Sequence, residues 1–167
     1  MKGVVLISGS GSNLQSIIDN AELINLDIQS VISNKADAYG LERAKNADIS
    51  THVLDHKLFD SRETFDQALS KLINQYTPDL IILAGFMRIL TTEFTRQYAG
   101  KMINIHPSLL PKFQGLNTHQ RAIDANETKH GASVHFVTDE LDGGPVIAQS
   151  SIDMIDNDSA QSLEKRV

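Results

Sequence analysis

The chain has 167 residues, 41% of them hydrophobic and 22% charged, enough for one domain with a sizeable core. A formal net charge of −6 without a basic stripe argues against nucleic-acid binding. There is no cysteine, which excludes a disulfide scaffold, thiolate chemistry and Cys-based zinc sites, and suits a reducing cytoplasm.

No apolar run approaches the roughly 20 residues of a membrane span. The opening MKGVVLISG is too short in its apolar part for a signal peptide and reads as a buried strand. Val4 to Ile7 forms that strand, Gly9 to Asn13 breaks it, and Leu14, Ile17 and Ile18 return at helical spacing. A second strand is expected over Ile28 to Ser33, a helix over Leu41 to Asn46 and a short strand over His52 to Leu54. Ser61 is placed to cap a long helix with Phe65, Leu69, Leu72 and Ile73 on one face. DLIILAG, which follows Pro78, is apolar on both faces, as a central parallel strand is. A short helix over Thr92 to Tyr98, a strand over Met102 to Ile105 and a helix over Thr118 to Ala125 follow. GASVHFVT alternates like a strand with one wetter face, DELDGG is a turn, and PVIAQSSI is a strand near an edge because of Pro145. Alternating strands and helices predict an α/β, Rossmann-like fold: a mostly parallel twisted sheet flanked by helices, antiparallel toward the C-terminus. In such sheets ligands sit at the carboxyl ends of the strands. Gly9 to Asn13, Gly85 to Arg88, His106 to Ser108 and Asp139 to Gly144 are expected at that rim.

Gly9-Ser10-Gly11-Ser12-Asn13 joins the first strand to the first helix, where free N–H groups can hold a phosphate. The dinucleotide fingerprint would need a third glycine where Leu14 stands, and no acidic residue ends the second strand at Ser33-Asn34-Lys35. A nicotinamide cofactor is therefore disfavoured; a plain turn and helix cap is the alternative to a phosphate loop. Asn104 and His106 alternate with Ile103 and Ile105, so both polar groups lie on one side of the strand, ahead of a loop stiffened by Pro107 and Pro111. A satisfied core Asn and a strand-end His are the structural alternative. DELDGGPV could supply a carboxylate to a histidine elsewhere, or be a solvated turn; its spacing does not suit calcium. His52, His56, His119, His130 and His135 form no metal-binding motif, and no metal is expected. In GFMRIL the apolar residues either pack or line a pocket for a flat ring, with Arg88 as the odd member.

VVLISGSGSNLQSII, SNKADAYGLERA, LAGFMRIL, NIHPSLLPKFQG, THQRAI and GASVHFVTDELDGGPVI together resemble the 10-formyltetrahydrofolate-dependent transferases, over nearly the whole chain and in order. SGSGSN is more specific to the members that act on glycinamide ribonucleotide in purine synthesis. The resemblance implies a one-carbon transferase that moves the formyl group of 10-formyltetrahydrofolate, its cosubstrate, to the amine of that ribonucleotide, with no metal. It implies a catalytic triad of Asn104, His106 and Asp142, and a ribonucleotide site at Gly11, Ser12, Asn13, Gly85 and Pro107. For the folate it implies Arg62, Met87, Arg88, Ile89, Leu90, Asn104 and the segment Thr138, Asp139, Glu140, Leu141 and Asp142. In this chemistry Asn104 and a protonated His106 meet the negative charge on the formyl oxygen, and Asp142 favours the imidazolium.

The partners so implied are small molecules only, with no nucleic acid or membrane, and a cytoplasmic monomer or weak homodimer. One formyltransferase domain is expected over residues 1–167. It ends inside a helix that begins after Asp158 or Ser159, so the chain reads as truncated at its C-terminus. Gln114 stands where relatives often carry Pro. Hydrolysis of the donor, transfer to methionyl-tRNA and a non-catalytic nucleotide-binding module are the competing readings. SGSGSN opposes the first, and the acidic charge opposes the second.

Overall fold

The computed structural model describes residues 1–167, which divide into two units, Met1–Ile103 and Asn104–Val167. In the first, β1 (Lys2–Ile7), β2 (Asp27–Ser33), β3 (Thr51–Val53) and β4 (Leu80–Leu83) lie side by side in the order β3-β2-β1-β4, all parallel. β1 is central because both its faces are apolar: Val4, Val5, Leu6 and Ile7 are wholly buried. Each such side chain contributes roughly 1.5–3 kcal/mol by leaving water. The helices are α1 (Ser12–Asn20), α2 (Gly40–Asn46), α3 (Arg62–Asn74) and α4 (Thr92–Gln97). Leu14 of α1 with Leu41 and Ala44 of α2 packs on Val5, Ile7 and Val31.

α3 starts where Ser61 predicts. Its hydroxyl accepts the Thr64 N–H while Thr64 returns a bond to the Ser61 N–H, a reciprocal cap. Phe65, Leu69 and Ile73 are buried as expected, and Leu72 is half-buried. Asp66 and Ser70 are buried beside them, which the apolar spacing did not foretell. The short third strand sits one residue earlier than expected.

The second unit holds the end of β5 (Met102–His106), then α5 (Thr118–Asp124), β6 (Lys129–Phe136), β7 (Val146–Asp153) and α6 (Ala160–Arg166). β6 and β7 form an antiparallel hairpin whose register runs from Lys129↔Asp153 to His135↔Val146, with an irregularity between Val134 and His135. β6 alternates buried and half-buried residues, and β7 is exposed along nearly its whole length. The fold class is the expected one: α/β, mostly parallel strands with helices, and antiparallel strands toward the C-terminus. No helix is long and apolar enough to cross a membrane.

Candidate active site

Three of the residues singled out in the sequence meet in the second unit. β5 alternation delivers Asn104 and His106 to one face, and the turn after β6 returns Asp142 to them. Asp142 Oδ2 lies 3.4 Å from His106 Nδ1, and the Asn104 amide donates to Asp142 Oδ1 at 3.3 Å. The Phe113 carbonyl, 2.9 Å from His106 Nε2, can only accept, so that nitrogen carries a proton. When Nδ1 is protonated too, Asp142 is its acceptor. His106 is 5% exposed, so the ring is held rather than solvated.

A fourth residue belongs to the cluster. His135, on the buried face of β6, donates Nδ1–H to the Phe136 carbonyl at 2.9 Å. In the neutral ring Nε2 is then an acceptor, and Asn104 Nδ2 donates to it at 3.1 Å. Both hydrogens of the Asn104 amide are thus engaged, one by His135 and one by Asp142. Burial by itself would push the Asp142 carboxyl up. The Gly115 N–H at 2.9 Å opposes this, as do the His135 hydrogen bond and the charges of His106 and His135 whenever those rings are protonated, and Asp142 is held below the usual carboxylate value. Gln114 adds a bond from its amide to the Asp142 carbonyl. The sequence signal for His135 was its place in the alternation of GASVHFVT; its spacing from the other histidines carried none.

The glycine-rich loop of the first unit leaves the start of α1 without a side-chain cap. Gly11 caps α1 at φ 72° and has no side chain to bond the first-turn N–H groups, and no acidic residue stands in that turn. Those donors stay available to a ligand. Ser12 and Asn13 are exposed beside them. Gly11 and Gly40 pack main chain to main chain: a Cβ on Gly11 would stand 2.6 Å from Gly40 Cα. The Gly40 N–H bonds the Gly9 carbonyl at 3.0 Å, and Arg43 Nε bonds the Ser10 carbonyl at 2.9 Å. Gly40 and Arg43 are supports that the motif search did not pick out.

Residues 86–91 follow β4 and belong to no helix or strand. Gly85 precedes them at φ 74°. Met87 and Ile89 project outward, 61% and 60% exposed, so the stretch presents apolar side chains beside main chain that no ladder uses. Such a combination can meet a flat, polar-edged ring. Arg88 is not a surface charge. Its guanidinium lies 5.2 Å over the Phe65 ring, its Nε is buried without a partner, and Asp66 is the anion it feels. Asp66 Oδ2 accepts the Thr91 N–H at 2.7 Å. Burial raises the Asp66 carboxyl above its ordinary value against the pull of that bond and of Arg88 and Arg62. Arg62, the first residue of α3, is exposed. In the second unit Pro107, Asp139, Glu140 and Leu141 are exposed and Thr138 is half-buried, its hydroxyl accepting the Glu140 N–H.

His119 and His130 also come together, Nδ1 to Nε2 at 3.0 Å with the rings edge to face. Burial lowers both, most of all; for His130 the charge of His119 lowers it further, while Glu164 and Glu127 oppose the shifts. Both rings are thus neutral in the native chain at a pH where the unfolded chain takes up protons. Their contribution is complete above the ordinary histidine value, about 6.5, and is lost as pH falls below it. The urea midpoint is expected to fall between pH 7.5 and pH 5.5, and to fall less in the His119→Gln/His130→Gln double variant. Equal pH dependence in the two proteins would refute this account.

An amide, two imidazoles and an ionised carboxylate are gathered on an α/β frame, and such a set can offer donors to an oxyanion and groups to move a proton, as acyl transfer needs. The chain belongs to the formyl transferase family, whose profile matches residues 1–167. It is 54% identical over 169 residues to the phosphoribosylglycinamide formyltransferase of Escherichia coli (strain K12), covering 100% of this chain and 80% of that protein. It is 45% identical over 165 residues to the human trifunctional purine biosynthetic protein adenosine-3, covering 98% of this chain and 16% of that one. The solved phosphoribosylglycinamide formyltransferase of Coxiella burnetii superposes with a TM-score of 0.95 at 54% identity, over 100% of this chain and 79% of that one. Glycinamide ribonucleotide transformylase 1 of Symbiobacterium toebii gives 0.96 at 39% identity, over 99% and 79%.

Proposed function

We propose that the chain transfers the formyl group of 10-formyltetrahydrofolate to the amine of 5-phosphoribosylglycinamide, a step of purine synthesis. The observation that carries this reading is the convergence of Asn104, His106, His135 and Asp142, supported by the names of the relatives. Gly11, Ser12 and Asn13 take the ribonucleotide phosphate on the α1 N-terminus, with Gly85 and Pro107 bordering that substrate. Met87, Arg88, Ile89 and Leu90, with Arg62, Asn104 and Thr138 to Asp142, take the folate, which supplies a formyl carbon on nitrogen. The family profile spans both units, and we read residues 1–167 as serving this one activity.

Each group of the cluster then has a task. The substrate amine attacks the formyl carbon, and negative charge develops on the formyl oxygen. Asn104 turns one amide N–H from its resting partners to that oxygen, and protonated His106 gives up its Phe113 bond to face the same charge. Asp142 holds the imidazolium on its other nitrogen and can hold a water that carries the amine's proton to the leaving nitrogen. No nucleophile of the chain is needed, in keeping with a sequence without cysteine. We take the enzyme to be cytoplasmic, a monomer or weak homodimer, working on small molecules without a metal, nucleic acid or membrane; the net charge of −6 opposes nucleic acid.

The test is spectrophotometric. Deformylation of 10-formyltetrahydrofolate is expected to require the ribonucleotide, and to fall by about 10²–10⁴-fold in His106→Ala. Deformylation at the same rate with and without ribonucleotide would mean hydrolysis of the donor; none at all would refute activity in this chain.

A further inference from the structure

Ser8 follows β1 and directly precedes the glycine-rich loop. It is 4% exposed and touches neither substrate site as assigned above. Its hydroxyl accepts the Met87 N–H at 2.7 Å, across 79 residues of sequence, and donates to Asn34 Oδ1 at 2.5 Å. A hydroxyl has one hydrogen, so accepting from Met87 and donating to Asn34 uses it in a single sense. Asn34 is 1% exposed, and its Nδ2 lies 3.2 Å from His56 Nδ1, a nitrogen that is also 3.0 Å from the Asn34 carbonyl. The chain of donors therefore runs from the Met87 N–H to Ser8 and from the Ser8 O–H to Asn34, with Ser8 and Asn34 both buried. At the far end of the same stretch the Thr91 N–H is held by Asp66.

We infer that Ser8 is a positioning residue for the formyl donor: through the Met87 amide it sets the conformation of residues 87–90, and Asn34 locks the direction of its proton. Ser8 is also the residue to which the glycine-rich loop is covalently attached. One side chain thus anchors the starts of both binding segments to β1. The inference rests on the reading that residues 87–90 bind the folate. It adds Ser8 and Asn34, neither of which meets the ligand, to the groups that determine donor affinity. Loss of one buried bond to a main-chain N–H leaves that donor unpaired, an effect of a size to be read easily in a Michaelis constant.

The experiment is steady-state kinetics with 10-formyltetrahydrofolate on Ser8→Ala, Ser8→Thr and Ile89→Glu, alongside thermal melts. Ser8→Ala is expected to raise the donor KM about tenfold with kcat within about twofold of the parent, the effect of one such bond. Ser8→Thr, which keeps the hydroxyl, is expected to recover most of that loss. A general loosening of the fold would instead lower the melting temperature and kcat and leave the donor KM in place, and that result would overturn the inference. Ile89→Glu separates the inference from the reading beneath it. If it raises the donor KM while Ser8→Ala does not, the role of Ser8 falls and the folate assignment stands; if neither variant moves the donor KM, the assignment falls as well. Should Ser8→Ala not fold, amide exchange in the unaltered chain decides: the Met87 N–H must exchange far more slowly than that of Ile89, and comparable rates would refute the bond on which everything here depends.

Discussion

Asp142→Asn is expected to lower kcat by about 10²–10⁴-fold, the range for loss of a group that orients an acid–base catalyst. The two side chains have the same shape, and Asn tolerates the backbone of this position, φ 49°, at least as well as Asp. What changes is the number of acceptors. Oδ1 takes the Asn104 N–H and Oδ2 the Gly115 N–H, while both face imidazole nitrogens, of His135 and His106. A carboxamide has one oxygen. With it on Gly115, its own N–H₂ opposes that of Asn104; with it on Asn104, the N–H₂ opposes Gly115. Neither orientation satisfies the cluster, and neither supplies the negative charge that an imidazolium at His106 needs. The result to look for is a loss in kcat larger than any rise in either KM. A kcat within threefold of the parent would remove Asp142 from the mechanism.

Phe65→Ala is expected to destabilise the fold by about 3–5 kcal/mol, the usual range for truncating a buried aromatic. Phe65 is 1% exposed, meets Phe59 edge to face at 5.5 Å and lies under the Arg88 guanidinium. Removing the ring opens a cavity beside α3 and leaves the half-buried Arg88 without the ring under its guanidinium. A urea titration should show a lower midpoint at unchanged slope. Leu58→Ala is the comparison: that side chain is 81% exposed, and its loss should stay within about 0.5 kcal/mol. Equal midpoints for the two variants would contradict the packing described.

Much of this was legible because it is local or periodic. The Ser61 cap, the apolar stripe of α3, the doubly apolar β1 and β4 and the strand pair Asn104/His106 each follow from spacing alone. DELDGG by itself read better as a solvated turn, with a carboxylate for a histidine as its alternative, and Asp142 was singled out only by the family resemblance. The rest depends on contacts between distant residues. Ser8 stands between the strand Val4 to Ile7 and the glycine-rich break, and nothing in its sequence surroundings points to Met87 or Asn34. Asp66 sits in a helix where a carboxylate normally faces water, and only the Thr91 N–H and the Arg88 charge explain its burial. His135 gained its role from the Phe136 carbonyl, which fixes the proton on Nδ1 and leaves Nε2 for Asn104.

The contact between Gly11 and Gly40 has a thermodynamic consequence. At Gly11 and Gly40 the loop ahead of α1 is shaped by main chain resting on main chain, with no rotamer to freeze at that contact. An anion that settles there meets N–H groups already aimed, so little conformational entropy is surrendered on arrival. Binding at this loop should therefore show a small ordering penalty in calorimetry. A side chain at position 11 or 40 would force the loop open and make each ligand restore the shape that the two glycines now provide in advance.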